Sequence, residues 1–130
     1  MKSLTLILAL TFSVMFSSPS FAGWKKVITG VNGDTFYVDF ESIRKHGGYV
    51  YFWTLGDRLK PSEDGTLSFK HYSQGDCKLF RSKFLSYSHS HQEPMGGGTG
   101  NVNNDSDKEW TYPQHTVHET VLKSVCAYAK

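Results

Sequence analysis

The chain has 130 residues, 14 Lys and Arg against 12 Asp and Glu, and a formal charge of +2. That is one domain of ordinary size, with too little net charge to argue for a nucleic-acid partner. Aromatic residues make up 15% of it, and rings in that number bury large areas and favour pleated surfaces, so a sheet-rich core is expected.

The first twenty-two residues read as a signal peptide. Lys2 supplies a basic start, residues 4–16 are apolar apart from small or hydroxyl side chains, and Ser20-Phe21-Ala22 places small residues where signal peptidase needs them. The apolar run is shorter than the roughly 20 residues that span a bilayer, so no integral membrane segment is expected after cleavage. Taking 22 residues from 130 leaves 108 from Gly23 onward, and without Lys2 the formal charge falls to +1. No cysteine stands near Gly23. The expected product is therefore periplasmic or secreted without a lipid anchor, in a compartment that oxidises thiols. Cys77 and Cys126 are the only cysteines, so theirs is the only disulfide the chain can make.

Residues 24–28 form a strand candidate, and Asn32-Gly33 marks a tight hairpin because both residues tolerate positive φ. Residues 35–40 return with Phe36, Val38 and Phe40 on one face. Asp39 is placed to cap a short helical turn over residues 40–45, stopped by Gly47-Gly48. Residues 49–55 carry apolar or aromatic side chains on both faces, as in a central strand covered on both sides, one cover being a C-terminal helix. Residues 67–73 make the next strand. A long one opens at Cys77 and runs to Ser88, with Arg81, Lys83, Leu85 and Tyr87 on one face and Phe80 and Phe84 on the other.

Residues 89–108 hold Gly96-Gly97-Gly98, Gly100, Asn101, Asn103, Asn104 and Asp105 and read as a long flexible loop. Residues 110–112 can add a short edge strand. A helix is expected over about residues 114–128, with Val117, Val121, Leu122 and Val125 as its apolar stripe and Cys126 beside it. The fold class is thus α+β: a single antiparallel sheet with a C-terminal helix on one face, held by the Cys77 to Cys126 disulfide.

Chemistry is sparse. His89 with His91 and His115 with His118 have spacings that two metal ligands can use, but neither pair brings a third ligand, so no metal is expected. The acidic alternation from Asn103 to Glu109 lacks the central glycine and closing glutamate of a calcium loop. No nucleophile elbow, free thiol or phosphate-binding loop is present. No catalytic residue and no cofactor follow, and the chain reads as non-enzymatic.

Trp24, Phe36-Tyr37-Val38-Asp39 followed by Ser42-Ile43-Arg44, and the strand from Val50 to Leu55 stand in a particular order with Ser68-Phe69-Lys70, Asp76-Cys77 and Arg81. Tyr87-Ser88, Met95-Gly96, Trp110 and Cys126 follow. This assembly resembles the surface-adhesin protein E family of Gram-negative bacteria, across the whole segment from Gly23 to Cys126. The resemblance implies the same sheet, helix and disulfide, and a protein-binding role like that of its surface-displayed lipoprotein member, which binds host matrix and serum proteins. The lipid-attachment cysteine is missing here, and the interval from Met95 to Trp110 is stretched.

Two functions remain. One is a module that binds a host-matrix or cell-envelope protein, through the sheet face bearing Lys78, Arg81 and Lys83 with Tyr72 and Tyr87 as flat contacts. The other is a structural or housekeeping periplasmic protein with no host target.

Overall fold

The described residues form a seven-stranded antiparallel sheet from β1 (Trp24–Thr29), β2 (Thr35–Asp39), β3 (Arg44–His46), β4 (Tyr49–Asp57), β5 (Ser68–Asp76), β6 (Arg81–His91) and β7 (Asn101–Asn103), with alternating burial at its centre in β2 and β4. The computed structural model describes residues 23–130; the signal-peptide reading of residues 1–22 lies outside the described residues. Strand order is β1-β2-β4-β5-β6-β7. β4 is long enough to pair with both β2 and β3 along one edge while β5 takes the other.

Among the described residues one α-helix, α1 (Val117–Tyr128), lies on the face that carries Phe36, Val38, Val50 and Phe52, and buries Val121, Leu122 and Val125 against them. Gly75 sets how closely it approaches: a Cβ there would sit 2.9 Å from Val50 and 3.0 Å from Leu122. A disulfide joins Cys77, in the β5–β6 turn, to Cys126 on α1. The fold class expected from the sequence is the one found.

Several local expectations change. Phe40–Ser42 is a single 3-10 turn, and the Asp39 side chain makes no cap bond to it. Residues 44–46 run on as β3, because Gly47 and Gly48 at φ 60° and 85° form a hairpin turn rather than a helix stop. The strand expected to open at Cys77 begins at Arg81; residues 77–80 are the turn, with Phe80 at φ 52°. α1 starts at Val117, since His115 adopts φ 56° and its N–H is held by the Glu119 carboxylate. His115 and His118 therefore do not share a helix face.

The stretch expected as a loop is tied to the sheet at many points. β6 continues to His91, which is buried and bonds to Ser88 and to the Gly97 carbonyl. Met95 N–H donates to Asp57, and Gly96 N–H to the Ser68 hydroxyl. β7 then pairs with β6, Asp107 binds Phe84 through backbone and side chain, and Thr111 bridges to Ser82. Backbone bonds along the β6 edge replace the apolar contacts that this polar segment lacks.

Gly56 is covered by the ring of Phe69, its cross-strand partner, which also packs edge-on to Phe36. Gly56→Ala must displace that ring. It is expected to cost about 1–3 kcal/mol by overpacking, read as a lower urea midpoint; an unchanged midpoint would mean the ring moves freely.

Candidate functional site

The two faces of the sheet differ because α1 covers only one. On the opposite face, successive outward positions of β4 are Tyr49, Tyr51 and Trp53, each half-buried, and then Leu55, which is fully buried beside Gly96, whereas Val50 and Phe52 on the helix side are buried. Cross-strand pairing sets Tyr72 opposite Trp53 and Gln74 opposite Tyr51. The Trp53 and Tyr72 rings lie 4.9 Å apart, Tyr51 stacks on Tyr72 at 6.4 Å, and Gln74 donates to the Tyr51 hydroxyl at 3.3 Å.

The register continues into β6, where Gln74 faces Lys83 and Asp76 faces Arg81. Trp110 is delivered to the same face by the bridge between Thr111 and Ser82. Its ring stands 5.4 Å from Tyr49, with the Arg81 guanidinium 4.3 Å and the Lys83 ammonium 4.5 Å from its centroid. Two cations on one indole is a cation–π arrangement that leaves positive charge beside a ribbon of rings.

Asp76 fixes the end of this ribbon. One carboxylate oxygen accepts from the N–H groups of Lys78 and Leu79, and the other pairs with Arg81 at 2.9 Å. Burial pushes its carboxyl up, but the bonds from Leu79 and Arg81 outweigh this and hold it below the ordinary carboxylate range. The bond to Asp76 correspondingly raises Arg81.

Of the five residues expected at a binding face, Arg81, Lys83 and Tyr72 come together as described. Lys78 is exposed in the β5–β6 turn. Tyr87 is on the other side. Phe84 pairs with Ser73 and Ser86 with Tyr72, leaving Leu85 without a partner; this bulge flips the parity of β6. Tyr87 therefore joins the helix-side cluster, its hydroxyl donating to Asp107 and its ring 5.3 Å from His71 and 5.4 Å from Phe84. Burial, then the bond to Asp107, raises its pKa.

The same cluster holds two histidines. His71 and His118 flank Phe84 at 4.4 Å and 5.7 Å. Burial, followed by the neighbouring His118, pushes His71 down to about 4 against a pull from Asp107, and burial lowers His118 as well. His71 is neutral near pH 7. His89 is exposed beside Ser90. Among the described residues no three His, Cys, Asp or Glu groups converge on a metal-binding point, and no helix is long and apolar enough to cross a membrane.

Tyr49, Tyr51, Trp53 and Trp110 were not singled out as site residues from the sequence. The alternation of β4 was the available signal for the first three. For Trp110 the signal was the short edge strand expected over residues 110–112, of which the structure keeps the bridge between Thr111 and Ser82.

The model of the family described as surface-adhesin protein E matches residues 24–127. Among solved structures, crystal form II of Haemophilus influenzae protein E is similar at 19% identity and TM-score 0.64, covering 88% of this chain and 94% of that one. A selenomethionine form of the same protein matches at 20% identity and TM-score 0.60, covering 85% and 89%. Protein E from non-typeable Haemophilus influenzae matches at 18% and 0.57, covering 85% and 78%. These likenesses are likenesses of fold. No curated protein matches the sequence.

Proposed function

Because this chain belongs to the surface-adhesin protein E family, we propose that it is an exported, non-enzymatic module that holds a host-matrix or cell-envelope protein on the open face of its sheet. The supporting observation is the half-buried ribbon of Tyr51, Trp53, Tyr72 and Trp110 with Arg81 and Lys83 at one end. Solvent-facing strand positions are ordinarily polar, and a run of rings there leaves apolar area that a partner can desolvate. Tyrosine, tryptophan and arginine are also the side chains that most often dominate protein interfaces.

Arg81 is a poor residue to test, because it closes the Asp76 turn. Trp53→Ser and Lys83→Glu leave that turn intact. Each is expected to weaken capture of an envelope or matrix protein, Trp53→Ser by about thirtyfold if it removes a contact of about 2 kcal/mol. Lys25→Glu, on the edge strand β1, serves as the control. Calorimetric titration of folded variants is the measurement. Equal affinity in all three removes this face from the reading, and the absence of any captured protein favours the structural periplasmic role instead.

A further inference from the structure

One buried polar atom among the described residues has no partner: Oδ1 of Asp39. Asp39 ends β2 opposite Trp24, and its carboxyl does not cap the turn that follows. The ion pairs among the described residues are Arg81 with Asp76 and Lys123 with Glu119. Lys26, on the neighbouring strand and opposite Tyr37, does not reach it. A buried carboxylate oxygen without a donor is costly and ordinarily signals a missing partner.

Gly23 lies directly against this group. A Cβ on Gly23 would be 2.7 Å from Oδ1, 2.9 Å from Cγ and 3.1 Å from Oδ2 of Asp39. By standard bond lengths a residue's nitrogen is about 2.5 Å from its own Cβ position, which puts the Gly23 nitrogen no more than about 5 Å from Oδ1. Gly23 is also the residue whose nitrogen the expected cleavage after Ala22 sets free.

We infer that Asp39 is a receptor for the α-ammonium group created on Gly23 by that cleavage, so that processing completes the first strand pair with an ion pair. This rests on the reading of the protein as exported. Hydrolysis breaks the bond from the Ala22 carbonyl carbon to the Gly23 nitrogen, and water gives its hydroxyl to the carbon and a hydrogen to the nitrogen. The proton of the new Ala22 carboxyl passes, net, to the Gly23 amine, leaving a carboxylate and an ammonium. An amide in the uncut chain has one N–H in a fixed plane, whereas the ammonium has three rotatable donors and a positive charge. The absence of a side chain at position 23 is what lets the terminus lie flat on the carboxyl. Gly23→Ala brings a methyl group into Asp39.

The test uses the protein exported from the full-length chain, with intact mass identifying its first residue. Acetylation of the terminal amine by an activated ester is then timed at pH 7 by mass spectrometry of the N-terminal peptide. An ordinary terminal amine has a pKa of about 7.7–8.0, and a carboxylate partner is expected to raise it by about one unit. The wild-type amine should therefore react about tenfold more slowly than that of Asp39→Asn. Inserting one serine between Ala22 and Gly23 moves the amine off the carboxyl and should give the same fast rate without altering Asp39, which covers the case in which Asp39→Asn fails to fold. Equal rates in wild type and both variants overturn the ion pair, and so does a mature chain that begins elsewhere than Gly23. Loss of partner capture by Trp53→Ser is independent of either result, so this inference and the binding face can fail separately.

Discussion

Reducing the Cys77 to Cys126 bond, or replacing Cys126 by Ala, is expected to lower stability by about 2–4 kcal/mol. The bond closes a sequence separation of 49 residues, for which the chain-entropy model gives roughly 4 kcal/mol of constraint on the unfolded state. Inside the closed loop lie β6, β7, the edge segment that delivers Trp110, and most of α1. The helix has little of its own to rely on. It is 12 residues long, and Val117, Thr120, Val121 and Val125 are β-branched, which lowers helix propensity in a segment already near the length at which isolated helices are marginal. Three of its side chains are buried on the sheet. The expected reading is a urea midpoint lower by roughly 2 M, taking a slope near 1.5 kcal/mol per M for a domain of this size. Helical circular dichroism should fall at or before the sheet signal. A shift under about 0.5 M would mean that the docked helix holds without its staple.

What was legible in the sequence is the part governed by local rules. The alternation at Phe36 and Val38 and the apolar stripe of α1 each follow from side chains a few residues apart, and the structure contains both; the hairpin between β1 and β2 is also present, but its turn runs from Gly30 to Gly33 with Gly33 alone at positive φ. The cysteine pairing was legible because there was only one way to make it. Long-range backbone geometry was not. The unpaired Leu85 reverses which face Tyr87 occupies, and no periodicity in β6 announces an extra residue. Residues 89–108 carry the composition of a disordered loop, yet Asp57 and Ser68, far away in sequence, receive Met95 and Gly96. The open face was half legible: the rings of β4 were visible as a two-sided apolar strand, but which of its positions stay uncovered depends on α1 on one side and, on the other, on the distant Pro94–Gly96 turn, which lies over Leu55.

The last expected result concerns acid. His71 sits among Phe69, Phe84, Tyr87 and His118 beneath the start of α1. Its ordinary pKa of 6.5 falls to about 4 in the folded protein, mainly through burial. As pH drops below 6.5 the unfolded chain takes up a proton at this position and the folded protein does not, so acidification favours unfolding. The stability associated with neutral His71 is complete above about pH 6.5, is lost progressively as pH falls toward 4, and changes little below that. A displacement of this size corresponds to about 3 kcal/mol at 1.36 kcal/mol per unit. His118 is lowered by burial and acts in the same direction. The carboxylates held below their ordinary values, Asp64, Asp76 and Glu119, titrate at lower pH and contribute their own losses mostly beneath this window. The urea midpoint should therefore decline steadily from pH 7 to pH 4.5, and His71→Phe, which keeps a ring in the cluster without a titrating nitrogen, should flatten most of that decline. If His71→Phe retains the full slope, the acid sensitivity belongs to another group, and the buried imidazole is only a filler of the space between sheet and helix.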